Sequence, residues 1–441
     1  MRVDVVACEC SRPSSGLRNS RVTNLVVGAS LYAAQVTGTD PVVNEGANLS
    51  ARSLHPFPAR MAPEIATDSI PARSGKRLAV LDPMCGSGTV LSIAAERGHK
   101  AYGRDVDPLA VLMASVATAN IELDGLARLS EEIAHRASRS TAKKLPWSDE
   151  ETLDFVNYWF DEPQQLQLLR VSKQINKVMD VRTRQALQVA LSRTIITKTP
   201  RASLAADTSH SRPHRVIDRN KYNVYEGFIK STNDVQNLLR NRSIVVEANV
   251  RQGDARNLSG IPNGGIDLVV TSPPYLNAID YMRGHRLSLV WLGYTVAQLR
   301  EIRSNSIGSE RILPKAMLDG VSHLLELSTD AGLDRSDLPM GVIARYCHDL
   351  ATFSYQLSKK VKAGGKAVLV VGNSTLKGKY IRNDLMVQHS FQAAGFDCVD
   401  RQERQLPENK RYLPISSKNS SPIDKRMRTE IILTLRKNQE I

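Results

Sequence analysis

Cysteine is scarce in this chain. Five occur in 441 residues, at positions 8, 10, 85, 347 and 398. They are too few and too scattered for a disulfide framework, so a reducing cytoplasm is the expected compartment. Cys8 and Cys10 have no second pair at ligand spacing, which speaks against a zinc site. Long apolar runs are missing as well. No segment approaches the roughly 20 apolar residues that span a bilayer. The start MRVDVVACEC carries Asp4 and Glu9 in its most apolar part, unlike a secretory signal. Acids are in the minority: 45 Asp and Glu face 59 Lys and Arg, a formal net charge of +14. That balance points to a polyanionic partner. His210 and His214 stand four apart, but Arg212, Pro213 and Arg215 surround them and no acid or cysteine completes a ligand set. No metal is expected.

What is present is a series of short runs with chemistry in them. Asp267 to Thr271 reads as a buried strand, and Ser272-Pro273-Pro274-Tyr275 ends it, because two consecutive prolines forbid helix and ladder alike. The corner carries a hydroxyl (Ser272), an undonated carbonyl (Pro273) and an aromatic plane (Tyr275). Two acceptors and a stacking face suit a flat, amino-bearing ring. Upstream, a strand ending at Asp82-Pro83 leads through Cys85, Gly86 and Gly88 to Thr89 and a helix. The glycines let backbone approach a ligand, and the helix start offers free N–H groups. The pattern is not GxGxxG and no Lys follows it, so neither a dinucleotide nor a nucleoside triphosphate is favoured. A second strand ends at Asp105, about 20 residues beyond the glycine turn, where an acid suits a ribose diol. Asp107-Pro108 opens the next helix with the acid at its N-cap. Asp254, at the end of a third strand, either accepts a hydrogen bond from an adenine amine or caps a turn.

Taken in order, DPMCGSGT (82–89), GRDVDP (103–108), GDAR (253–256) and TSPPY (271–275) resemble the S-adenosylmethionine-dependent DNA amino-methyltransferases, which methylate N4 of cytosine or N6 of adenine. The run LHPFPARMAP (54–63) resembles the segment that precedes the cofactor loop in many of them. The likeness covers residues 50–118 and 245–437 and rests on four motifs agreeing in order and spacing. It implies S-adenosylmethionine as cofactor, held by His55, Pro56, Asp82, Pro83, Cys85, Gly86, Gly88, Thr89, Asp105 and Asp254. It implies catalysis by Ser272, Pro273, Pro274 and Tyr275 on a base flipped out of double-stranded DNA, and a cognate restriction endonuclease as partner. Ser at the first position of SPPY is more typical of N4-cytosine enzymes, Asp of N6-adenine enzymes. Met84 stands where an aromatic is usual. In C5-cytosine methyltransferases a thiol follows a Pro on the strand-four loop; that loop is SPPY here, so covalent catalysis by Cys85 is rejected. Two other readings stand beside this one. The tRNA guanine-N2 methyltransferases carry a similar DPxCGSGT run and PPY loop, though the first 50 residues hold no recognisable RNA-binding domain. A catalytically silent nucleic-acid-binding protein on the same scaffold is opposed by intact Gly86, Gly88, Asp105, Ser272 and Tyr275.

The expected fold class is α/β, a doubly wound, mostly parallel, Rossmann-like sheet with an inserted, mainly helical domain. Residues 1–50 form an N-terminal arm, 51–118 the cofactor half, 119–245 the insertion and 246–441 the catalytic half, with a long loop at 299–340. A gap of this size between the second and third motifs is far longer than a compact connection needs. Between Arg193 and Lys221 seven basic residues face two acids. Arg201, Arg212, Arg215, Arg219 and Lys221, interleaved with Ser and Thr, suit phosphate contacts. Arg411 and Tyr412, in the loop before the last strand, are assigned to nucleic acid too. Apolar spacing predicts a helix up to Gly364-Gly365, a strand from Lys366 to Gly372, and a closing antiparallel hairpin.

Overall fold

The computed structural model describes residues 53–57, 60–210, 212–276, 280–309, 339–376, 379–406 and 429–439. The N-terminal arm, Arg411 and Tyr412 lie outside the described residues.

Seven strands form the main sheet: β1 (Ala79–Asp82), β2 (Lys100–Asp105), β5 (Asn249–Gln252), β6 (Ile266–Thr271), β7 (Val361–Gly372), β10 (Phe396–Gln405) and β11 (Thr429–Lys437). Their order is β10-β11-β7-β6-β1-β2-β5. All neighbours are parallel except β11, which runs antiparallel to both β7 and β10. The chain runs outward from β1 through β2 to β5, then restarts at β6 and runs the other way. That reversal opens a crevice at the C-terminal ends of β1 and β6, where open α/β sheets bind ligands.

The central strands read as unbroken apolar runs because both faces are covered. Successive side chains point to opposite faces. Val80, Leu268, Val270, Val368 and Val370 pack with helices α1 (Pro63–Ser69), α2 (Thr89–Glu96) and α3 (Pro108–Ala117). Leu81, Val269, Ala367, Leu369 and Val371 pack instead with a long helix at Met340–Lys360 and another at Asn383–Ala393.

Between β2 and β5 lie the helices α4 (Leu126–Ser138), α5 (Glu150–Trp159), α6 (Glu162–Ile175), α7 (Val181–Ile195) and α8 (Val224–Arg240), with a ribbon of β3 (Ala205–Ala206) and β4 (His214–Arg215) before the last. Asp149, Asp161, Asp180 and Asn223 cap α5, α6, α7 and α8 with side-chain hydrogen bonds, which is why the apolar spacing is realised as separate helices. They share one core with α3 and with α9 (Met282–Leu289), the helix that follows the diproline corner.

Two expected boundaries move. Residues 299–304 are not loop: helix α10 (Val296–Ser304) starts on a capping box between Thr295 and Gln298, a signal hidden in a polar stretch. The long helix, α11 (Met340–Lys360), stops four residues before the glycines, and β7 begins at Val361. Gly364, at φ +72°, is spent inside β7, where the pairing with β6 shifts register, rather than on ending the helix. A ribbon of β8 (Ser374–Leu376) and β9 (Lys379–Ile381) leads from β7 to helix α12 (Asn383–Ala393), and the β10–β11 hairpin closes the sheet.

Candidate active site

The turn after β1 is built from the strand outward. Asp82 ends β1 with its carboxylate turned back inside, where Oδ1 accepts from the Met84 N–H at 3.2 Å and the Thr271 hydroxyl at 2.7 Å. Burial pushes this carboxyl up to about 7. Pro83 is buried behind it. Cys85 donates its N–H to the Arg104 carbonyl, and its side chain packs on Gly103 of β2; burial raises the thiol well above its ordinary range. A small, inert residue is what this position holds. Gly86 and Gly88 sit at φ +48° and +83°. A Cβ on Gly88 would lie 2.9 Å from the Ala114 backbone of α3, so glycine is required for both reasons. Thr89 then opens α2, whose first turn has no side-chain cap, leaving N–H groups directed at the crevice.

Asp105, half-buried at the end of β2, accepts the Gly86 N–H at 2.9 Å on Oδ2 and the Asp107 N–H at 3.0 Å on Oδ1. Each oxygen keeps lone-pair capacity. Burial, then the neighbouring Asp107, push this carboxyl up to about 6. Asp107 is the N-cap of α3, accepting from the Leu109 N–H at 2.9 Å.

The diproline corner lies on the same edge of the sheet, at the end of the adjacent strand. The Ser272 hydroxyl donates to the Val370 carbonyl of β7 at 3.1 Å. Its only proton is thereby used, and toward the crevice Ser272 acts as an acceptor. Pro273 is buried, and among the described residues its carbonyl has no hydrogen-bond partner. The Pro274 carbonyl accepts from the buried Tyr346 hydroxyl at 2.9 Å. Tyr275 lays its ring on Gly372, where a Cβ would stand 3.1 Å from the ring. Corner and turn are joined directly, since Thr271, the residue before Ser272, is the one bonded to Asp82.

One predicted contact is corrected. His55 does not face the turn. It is fully buried, its Nδ1–H donates to the Pro56 carbonyl at 2.8 Å, and Nε2 accepts from Ser192 of α7 at 2.8 Å, with Ser288 of α9 donating to Ser192. Both ring nitrogens are committed, and burial holds the imidazole neutral, down to about 3. Pro56 is the bend that accepts from it. The residue reaching the turn is Phe57, whose ring would lie 3.2 Å from a Cβ on Gly86. It supplies the aromatic surface that Met84 lacks. Phe57 stacks on Tyr281 (centroids 5.2 Å apart, planes 17° apart) and tilts on His285 at 5.6 Å. His285, fully buried, binds Asp107 Oδ2 through Nδ1, while Nε2 has no partner among the described residues. Phe57, Tyr281 and His285 were missed by sequence reasoning; the four-residue spacing of Tyr281 and His285 along one helix face was the available signal.

Asp254 takes the capping geometry. Oδ1 accepts from the Arg256 N–H at 2.8 Å, and both oxygens pair with the Arg256 guanidinium. It stands at a polar pocket shared with Arg256, Arg345, His348 and Asp349. Of the basic loop residues, Arg201 is half-buried and Arg212, Arg215, Arg219 and Lys221 are exposed. A short 3₁₀ turn in this loop (Thr208–His210) packs against α9, next in sequence to the corner. Among the described residues no group of three His, Cys, Asp or Glu is arranged to hold a metal, and no helix is long and apolar enough to cross a membrane.

Two curated relatives match along most of their length. The type II methyltransferase M.MvaI of Kocuria varians is 24% identical over 414 residues, covering 87% of this chain and 90% of that protein. The chain is thus similar to a type II methyltransferase over most of its length. A second, M.BsoBI of Geobacillus stearothermophilus, is 22% identical over 385 residues, 73% of each chain. No family model matches. Among solved structures, an S-adenosylmethionine-dependent methyltransferase of Methanosarcina mazei aligns over 85% of this chain and 98% of its own at 8% identity and a TM-score of 0.31, too low to add to the strand order itself.

Proposed function

We propose that the protein, acting in the cytoplasm, transfers a methyl group from S-adenosylmethionine to the exocyclic amine of a flipped base in duplex DNA, N4 of cytosine in preference to N6 of adenine. The observation that carries this is the pairing of acceptors at the corner. Ser272 has given its proton to Val370, and Pro273 offers a carbonyl beside it, one strand away from the glycine turn.

The turn fits the cofactor. Gly86 and Gly88 hold a backbone shape that side chains would close, the uncapped start of α2 suits a carboxylate, and Asp105 suits a ribose. When bound, the cofactor supplies a methyl on a positive sulfur, an electrophile that needs no metal. The chain's own task is the nucleophile. An exocyclic amine is weak because its lone pair is delocalised into the ring. Ser272 and the Pro273 carbonyl, each accepting one amino hydrogen, draw the nitrogen toward a tetrahedral shape. Tyr275, held on Gly372, stacks on the base. Alignment of this kind is worth several kcal/mol. The amine's proton leaves late, to water.

The test is transfer of tritium from labelled S-adenosylmethionine to unmodified duplex DNA and to bulk tRNA, followed by hydrolysis to nucleosides. Label in N4-methylcytosine is the expected result. Label in N6-methyladenine corrects the base, and label in tRNA alone overturns the DNA reading. A cognate endonuclease and a defined recognition sequence belong to the same proposal; methylation-sensitive sequencing of the intact duplex reads the sequence.

A pH dependence follows from the two raised carboxyls. Asp105 and Asp82, at about 6 and about 7, lie above their ordinary carboxylate values. Cofactor with its positive sulfur prefers them ionised, so its dissociation constant should hold steady above pH 7 and climb as pH falls through 7 to 6. The ligand-free fold has the opposite trend. A carboxyl whose folded pKa exceeds its unfolded one binds protons on folding, so these two groups add stability as pH falls from about 7 toward 4. Calorimetric titration of cofactor and melting of the free protein, both across pH 5 to 8, check the two slopes. Parallel slopes would show that these acids do not face the cofactor.

A further inference from the structure

We propose that Tyr158, Val216 and Ile217 form an apolar reading surface that docks against base edges in a groove of duplex DNA. The inference rests on the DNA reading above and deepens it by naming neutral residues that would contribute to site choice. Single exposed apolar residues need no explanation, and Met179, Val245 and Val399 are of that kind. Tyr158, Val216 and Ile217 differ because they converge. They are 51%, 49% and 43% exposed, and Arg215 joins them: its guanidinium lies over the Tyr158 ring at 5.3 Å and its Nε–H donates to the Ile217 carbonyl at 3.4 Å.

The surface is held in place before anything binds. The Val216 N–H donates to the Leu204 carbonyl at 3.1 Å, and the Leu204 N–H donates to the Trp159 carbonyl at 2.8 Å, which ties the β3–β4 ribbon to the end of α5. The Val216 backbone is held inward, while all three apolar residues stay about half exposed. A preformed surface loses little freedom on binding.

Charge selects the occupant. Arg212, Arg215, Arg219 and Lys221, all exposed, flank Val216 and Ile217 in sequence. Arg215 pairs with Asp218 at 3.2 Å and Arg219 with the largely buried Asp161 at 3.6 Å. Asp218 is almost fully exposed, and a pair of that kind is weak enough for a phosphate to compete. A second copy of a chain carrying +14 would be repelled by the same rim, and a polyanion would be drawn to it. In the major groove, exposed apolar side chains contact the thymine methyl. The 3₁₀ turn between the two strands packs on α9, the helix that follows the corner in sequence.

The experiment compares V216S/I217S and Y158S with R212Q/K221Q, using unmodified duplex DNA at several salt concentrations, with cofactor titration as the control for folding. The apolar variants should lose roughly tenfold in DNA affinity, as for one mismatched base pair, with the slope of log K against log salt unchanged. The charge variant should flatten that slope by about two, one per cation removed. Cofactor affinity should stay at the wild-type value in all three. If wild type methylates DNA and V216S/I217S binds and methylates it equally well, the inference falls while the function stands. It falls also if V216S/I217S changes the sedimentation of the protein but not its DNA affinity, for then a second copy covers the patch. If wild type transfers no methyl to DNA, both fall together.

Discussion

Ser272→Ala is expected to lower turnover by a hundredfold or more, in the range seen when one preorganised hydrogen-bonding group is taken from a reacting centre (about 10²–10³), while the dissociation constant for S-adenosylmethionine changes little. The reason is where the hydroxyl stands. It touches the Val370 carbonyl and the crevice, and no hydrogen bond joins it to the glycine turn. Removing it leaves β6, the Thr271–Asp82 link and Asp105 in place, so cofactor binding has no cause to fail. On the proposed mechanism, what is lost is an acceptor for an amino hydrogen, an interaction that strengthens as the nitrogen changes shape. Loss confined to the transition state appears in kcat and in kcat/KM together. Ser272→Asp should fare no better. A carboxylate has no proton for Val370 and would set an anion against that carbonyl, so the variant is not expected to gain activity on adenine. Steady-state kinetics with saturating DNA, together with calorimetric titration of the cofactor, separate the outcomes. Equal losses in turnover and cofactor affinity would mean that Ser272 only supports the fold.

His285→Phe has the largest expected effect on stability, about 3–5 kcal/mol, the usual cost of removing one partner from a buried pair. Phe preserves the ring that Phe57 and Tyr281 pack on. It leaves Asp107 Oδ2 buried with its partner gone. The strain should reach the cofactor turn, because the Asp107 N–H holds Asp105 and Phe57 lies on Gly86. Cofactor affinity should therefore fall as well. Adding Asp107→Asn should restore most of the stability: Asn still caps α3 and carries no charge to bury. Denaturant unfolding of the two single variants and the double variant measures the coupling. A loss below about 1 kcal/mol in His285→Phe would mean the pair is not the buried contact that joins the two halves of the site.

The parts of the site legible in the sequence are those where a local backbone shape admits few residue types. Gly86 and Gly88 announce a turn because left-handed φ excludes side chains, and Pro273-Pro274 announces a strand end because neither ring can donate to a ladder. Asp107-Pro108 is recognisable as a helix start for the same kind of reason, and the structure makes Asp107 the N-cap. The apolar runs of β6 and β7 were equally local signals, and the structure covers both faces of these strands.

Other features needed the folded chain. In HPFP the sequence offers a histidine and a phenylalanine two residues apart, and which of them meets the turn depends on α7 and α9, which claim His55 through Ser192 and Ser288. The partner of Asp107 lies 178 residues away and that of Ser272 lies 98 away; no spacing rule reaches so far. The DPMCGSGT and TSPPY runs by themselves determined that a glycine turn and a stiff acceptor corner exist, because each is a property of a few consecutive dihedral angles. Only the tertiary structure decided that they share one edge of one sheet and that Ser272 faces the crevice as an acceptor, because both depend on which strands lie side by side.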